Sequence, residues 1–161
     1  MPRAYPGPVD SPRTRFAELG ALARTLVMGI VNVTPDSFSD GGRWLQPEVA
    51  LAHARVLRSQ GADVLDIGGE STRPGAERVP VEVELDRVLP VVRELAAEGA
   101  VVSVDTVHAE TADACLRAGA VFVNDVSGGL ADPEIFATVA AHQACYVLGH
   151  WRGEPATMNE L

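Results

Sequence analysis

The sequence predicts an α/β fold built on a parallel sheet. Two observations predict it. Five short, continuous apolar runs rich in β-branched residues recur along the chain, and helical patterns separate them. Short apolar runs of this kind fit strands covered on both faces. An order of strand, helix, strand repeated through the chain implies parallel strands joined by right-handed crossovers.

Met1 to Pro12 is punctuated by Pro2, Pro6, Pro8 and Pro12 and reads as a flexible tail. Thr14 to Arg24 fits a short helix or a lead-in strand, so residues 1–24 are taken as tail and lead-in and residues 25–161 as the folded domain. The five expected strands lie at Leu26–Val33, Val64–Ile67, Val101–Val104, Val121–Val123 and Cys145–Leu148. Val81, Leu85, Val88, Leu89, Val92 and Leu95 mark one face of a helix between the second and third. Pro47, Pro80 and Pro133 suit first helical turns, where a missing N–H costs nothing, and Asp132 is a natural N-cap. Gly61, Gly99 and Gly119 each close a helical stretch and are followed by Ala and an apolar run. Their unequal spacing excludes a fixed-period solenoid.

Two architectures satisfy this order: an open doubly wound sheet and a (β/α)8 barrel. The 161 residues favour the open sheet on length alone, since a barrel typically takes roughly 250. A net charge of −9 argues against nucleic acid as a partner. No apolar stretch suggests a membrane span, and the N-terminus has no signal-like apolar core, so a cytoplasmic protein is expected. Cys115 and Cys145 fit no metal or disulfide pattern and read as small buried hydrophobes.

Ligands of parallel α/β folds bind at the C-terminal ends of the strands, and the polar strings of this chain cluster there. Asp105 ends the third strand; its carboxylate can accept hydrogen bonds from ring N–H and amino groups, or cap the next helix. Asn124 ends the fourth and can serve as a turn residue or donate and accept to one heterocycle. Strand alternation sets Phe122 and Asn124 on one face, and Tyr146, Leu148 and His150 on one face. If all polar-ended faces point inward, Asp105, Asn124 and His150 converge on one pocket floor. Asn32 can turn the chain or ligate Mg²⁺ through its amide oxygen. Arg73 can clamp a phosphate or carboxylate or stand as a solvated loop charge. His53, His108 and His142 lie in or near helical stretches and read as structural or exposed. The glycine pairs form neither GxGxxG nor a Walker A loop, and no catalytic triad or cysteine nucleophile stands out.

Read together, the strand-end strings resemble the dihydropteroate synthase family. Met28 through Gly42 (MGIVNVTPDSFSDGG) is similar to its first signature and Asp66 through Gly75 (DIGGESTRPG) to its second. SVDT, ending in Asp105 and Thr106, and NDVSGG, from Asn124 to Gly129, follow in the family's order. The resemblance implies a (β/α)8 barrel of which about the first five strands are present. It implies condensation of 6-hydroxymethyl-7,8-dihydropterin diphosphate with p-aminobenzoate, a transfer of folate biosynthesis, with Mg²⁺ as cofactor. Carried over, Asp105 and Asn124 hold the pterin, with Val126 beside them. Asn32 contacts the metal, and Phe38, Thr72 and Arg73 belong to the loops over the leaving group and the p-aminobenzoate site.

The resemblance has two departures. The family's later pocket residues, a second carboxylate, a lysine and a final Arg and His, have no counterpart before Leu161. Where the family commonly has Met before the histidine of the fifth strand, this chain has Gly149, which removes an apolar wall from the pocket. A half-built barrel is expected to expose strand edges and apolar faces. The competing readings are an inactive fragment, a pterin-binding accessory protein, and a methyltetrahydrofolate-dependent methyltransferase domain. The loop from Thr34 to Gly42 and the STRPG string speak against the last. A homodimer through C-terminal helices is implied only for a longer chain.

Overall fold

A computed structural model of the chain describes residues 11–34, 46–71 and 78–150. Among the described residues five helices and five strands alternate: α1 (Pro12–Gly20), β1 (Met28–Asn32), α2 (Gln46–Ser59), β2 (Val64–Gly68), α3 (Val81–Ala97), β3 (Val102–Asp105), α4 (Ala109–Arg117), β4 (Phe122–Asp125), α5 (Glu134–Ala141) and β5 (Cys145–Leu148). All neighbouring strands are parallel, and their order in the sheet is β1-β2-β3-β4-β5.

That order decides between the two architectures. A doubly wound sheet reverses direction at a switch point and so has helices on both faces. Here every crossover advances the same way. With one hand of crossover, all helices fall on one side, as in a barrel wall. Side-chain burial agrees. On β1, Gly29 and Val31 are buried while Met28, Ile30 and Asn32 are exposed. A Cβ on Gly29 would stand 3.1 Å from Leu57 of α2, so this is the helix face. Val31, Leu65, Ile67, Val102, Val104 and Val123 continue it, packed with Val88, Val91, Val92 and Leu95 of α3 and Ala112, Cys115 and Leu116 of α4. Among the described residues the α2–α5 helices cover one face; the expectation of strands covered on both faces holds for β2, every residue of which is buried, and is corrected at the edge strands, where β1 alternates and β5 has no buried residue. The other face is concave-side surface in barrel terms, and Met28, Ile30 and Val147 lie exposed on it.

The helix-to-strand joints follow the glycines. Gly61, Gly99 and Gly119 have φ of +107°, +75° and +108°, a region that side-chain-bearing residues rarely adopt. Of the helix starts, Pro80 and Pro133 occupy N-cap positions and Pro47 the second residue of α2. Asp132 stands one residue before the cap of α5. One of its carboxylate oxygens accepts from Glu134 N at 3.1 Å and the other from Ala109 N at 2.8 Å, so it serves the first turns of both α5 and α4. Within the expected lead-in, α1 is capped by Ser11. Its Leu19 is buried with Val64, Val121 and Phe122, and Phe16 meets Phe122 edge-on at 5.9 Å. Val64 and Phe122 are the first residues of β2 and β4, so α1 closes the N-terminal end of the sheet, opposite the polar strand ends.

Candidate functional site

The register of the sheet sets which side chains share the open face. Asn32 pairs with Gly68, Gly68 with Asp105, and Asp105 with Asn124. Partners in a parallel ladder point the same way. Asn32, Asp105 and Asn124 therefore form one polar tier at the C-terminal ends of β1, β3 and β4. One step deeper lie Ile30, Asp66, Ser103 and Phe122. Gly68 is the gap in the upper tier: a Cβ there would lie 3.4 Å from Asp105 Oδ2 and 3.6 Å from Asn32 Oδ1. For two residues the local alternative falls away. Asp105 is not a helix cap, because α4 is capped at His108. Asn124 is a strand residue whose Nδ2 donates to Asp66 Oδ2 at 2.9 Å.

The expected place of His150 is corrected. Asn124 pairs with Val147, so Cys145 and Val147 share the face of Asn124, while Tyr146 and Leu148 share that of Val123 and Asp125. A one-residue difference in register turns a whole strand over. His150 lies exposed beyond the end of β5 and does not join Asp105 and Asn124. Of the other histidines, His142 pairs with Asp113 at 2.7 Å and His53 is exposed. Phe38, Thr72 and Arg73 lie outside the described residues.

Electrostatics single out Asp105. Its carboxyl is pushed up to about 7, first by burial and then by the negative charges of Asp66, Glu84, Asp125 and Glu70. Such a group changes charge near neutral pH and can accept or share a proton there. Cysteine chemistry is not on offer: burial pushes the Cys115 thiol up to about 12, and also raises that of Cys145.

Several residues that carry the site were not singled out from the sequence. Glu84 of α3 is buried on the helix face and accepts from Thr106 and Thr111, tying α3 to the segment just after Asp105. Burial raises its carboxyl above the ordinary value. Glu70 Oε2 accepts from Val79 N at 3.1 Å, and Arg87 donates to Gly69 O at 2.7 Å. These bonds hold the described residues on either side of residues 72–77. Asp125 accepts from Ser127 N at 2.7 Å, Gly129 N at 2.8 Å and the Tyr146 hydroxyl at 2.6 Å, shaping the turn that presents half-buried Val126. At the end of β5, Gly149 N donates to Asp125 O at 2.8 Å, and a Cβ on Gly149 would stand 2.6 Å from Val126 backbone atoms. Glycine here lets β5 close onto that turn as well as leaving out a side chain. Only the local signal of NDVSGG, with Asp two and four residues before turn N–H groups, pointed to this role for Asp125.

Sequential parallel strands with a polar tier at their C-terminal ends define the ligand end of a β/α-barrel protein. The chain belongs to the pterin-binding enzyme family, whose model matches residues 28–161. It is 53% identical over 132 residues to dihydropteroate synthase of Mycobacterium leprae, covering 82% of this chain and 46% of that protein. Among solved structures, Xanthomonas albilineans dihydropteroate synthase with 4-aminobenzoic acid superposes with a TM-score of 0.77 at 53% identity, covering 82% of this chain and 48% of that one. Burkholderia cenocepacia dihydropteroate synthase complexed with 7,8-dihydropteroate superposes at 0.71 with 40% identity, covering 85% and 45%. The chain thus spans about half the length of the relatives it matches. Its five strands correspond to part of a (β/α)8-type barrel.

Proposed function

We propose that residues 25–161 are the pterin-binding part of a dihydropteroate synthase, which joins 6-hydroxymethyl-7,8-dihydropterin diphosphate to p-aminobenzoate in the cytoplasm. The carrying observation is the tier of Asn32, Asp105 and Asn124 on adjacent positions of one open face, in a chain of this family. The relatives' complexes with 4-aminobenzoic acid and 7,8-dihydropteroate support the substrate class.

The reaction breaks the bond between the exocyclic carbon and the diphosphate oxygen and forms one from that carbon to the arylamine nitrogen, which then loses a proton. Electron release from the pterin ring weakens the breaking bond, so no enzyme nucleophile is required. In this reading Asp105 accepts from ring N–H and amino groups, and Asn124 donates and accepts beside it. Val126 walls the ring, while Phe38, Thr72 and Arg73 close over the diphosphate and the amine. These residues act by positioning, charge complementarity and exclusion of water. Among the described residues no group of three His, Cys, Asp or Glu could hold a metal by itself. Mg²⁺ needs no such group, since one or two protein oxygens with phosphates and waters suffice. The exposed Asn32 amide at the strand end fits that role, and a Mg²⁺ ion held there would neutralise charge on the leaving diphosphate.

The test is diphosphate release by the purified chain with Mg²⁺ and dihydropterin diphosphate, with and without p-aminobenzoate, using Asp105→Asn as control. Release that needs p-aminobenzoate and is lost in the control supports the reading. Pterin binding without release would favour a binding role instead, and no pterin binding at all would refute it.

A further inference from the structure

Beneath the tier of Asp105 and Asn124 lies a carboxylate to which the reading above gives no role. Asp66 is 1% exposed, on the same face as Ser103, which is fully buried. Its Oδ2 receives Asn124 Nδ2 at 2.9 Å, a contact that crosses from β2 to β4 over the intervening β3. Its Oδ1 and the Ser103 Oγ have no hydrogen-bond partner among the described residues.

An asparagine amide can turn over, exchanging its carbonyl for its NH₂ at almost no cost in shape. A ligand that reads the amide pays for that freedom unless something holds one orientation. A carboxylate accepts and does not donate, so it selects the NH₂ end. We propose that Asp66 is a positioning residue for pterin recognition: it takes one N–H of Asn124 and so leaves the carbonyl oxygen and the second N–H for the ligand. This rests on the pterin reading of the site. Asp66 sits one tier deeper than Asn124, so it acts through the amide and not on the ring. A buried carboxylate with one oxygen unpartnered is costly to fold around. Its cost is set against this orientation.

A double-mutant cycle tests the proposal, with 6-hydroxymethylpterin as the probe and affinity read by fluorescence titration of the chain. Asp66→Leu is expected to weaken binding about tenfold and Asp66→Asn, which retains a carbonyl acceptor, about threefold. In an Asn124→Ala background both changes are expected to cost less than twofold, because the amide through which Asp66 acts is gone. An undiminished loss in that background would overturn the proposal. If Asp66→Leu does not fold, the near-isosteric Asp66→Asn carries the cycle. A second readout needs no ligand: the Asn124 side-chain NH₂ resonances in a ¹⁵N-labelled sample. One proton of the pair should be shifted and protected from exchange in the wild type, lose both properties in Asp66→Leu, and keep them in part in Asp66→Asn. Identical resonances would refute the tie. If the wild type binds no pterin while the amide responds, the pterin reading fails and the tie stands.

Discussion

Asp105 owes its character to where β3 ends. Burial, then the charges of Asp66, Glu84, Asp125 and Glu70, bring its carboxyl to about 7. A ring that donates N–H groups binds the charged form, so affinity for 6-hydroxymethylpterin is expected to rise as pH climbs from 6 to 8. Asp105→Asn should weaken binding and flatten that profile in the same titration. Gly68 offers a second residue-level test. Its missing Cβ would meet Asp105 Oδ2 and Asn32 Oδ1 at ordinary contact distances of 3.4 and 3.6 Å. Gly68→Ala should therefore fold normally yet place a methyl group in the floor between them. A loss of pterin affinity with an unchanged melting temperature is the expected pair of results. Asp105 and Asn124 could be nominated from the sequence because they are polar residues ending apolar strands. Asp66 and Glu84 could not be ranked that way, because their meaning depends on partners 58 and 22 residues distant in the chain.

At the scale of elements, the joints between helix and strand carry the organisation. Asp132 serves two helices at once, through Glu134 N and Ala109 N. Asp132→Ala is expected to cost about 1–2 kcal/mol, read as a lower denaturation midpoint and faster amide exchange in the first turns of α4 and α5. The end of β5 is as tightly specified: Gly149→Ala would press a methyl group on Val126 backbone atoms at 2.6 Å. A destabilisation of about 1–3 kcal/mol and weaker pterin binding through a displaced Val126 should follow. Helix α3 shows packing outweighing local preference. It continues through exposed Pro90, which would ordinarily break a helix. Val88, Val91, Val92 and Leu95 around it are all fully buried, and that burial offsets the lost hydrogen bond.

Across the whole molecule, buried acids give stability a pH slope. Asp105 and Glu84 both have folded-state values raised above the unfolded ones, each first by burial. The folded state then binds more protons, so stability is greatest below the unfolded values and declines as pH rises from about 4 toward 7. For Asp105 the slope is at most about 1.4 kcal/mol per pH unit. Asp63 and Asp113 are lowered by Arg24 and His142 respectively, and act in the opposite sense only at more acidic pH. Urea midpoints at pH 5 and 7.5 should show the chain more stable at pH 5, with the difference reduced in Asp105→Asn.

The sequence by itself determined the parallel α/β class, the positions of strands and helices, and the polar strings at the strand ends. Those depend on local patterns: apolar runs, helical periodicity, and glycines at joints that need a positive φ. It also carried the family resemblance, because motif order survives without coordinates. The resemblance implied a barrel, but the residues' own pattern left an open sheet as an alternative, and the tertiary structure decided that the strands run in sequential order with the crossover helices on one face. That depends on where each crossover lands and not on its composition. The same structure decided which residues of β5 face the site. The register that pairs Asn124 with Val147 removed His150 from the floor, and the approach of β2 to β4 across the open face brought Asp66 to Asn124. Contacts of that kind join segments far apart in the chain, so no window of sequence contains them.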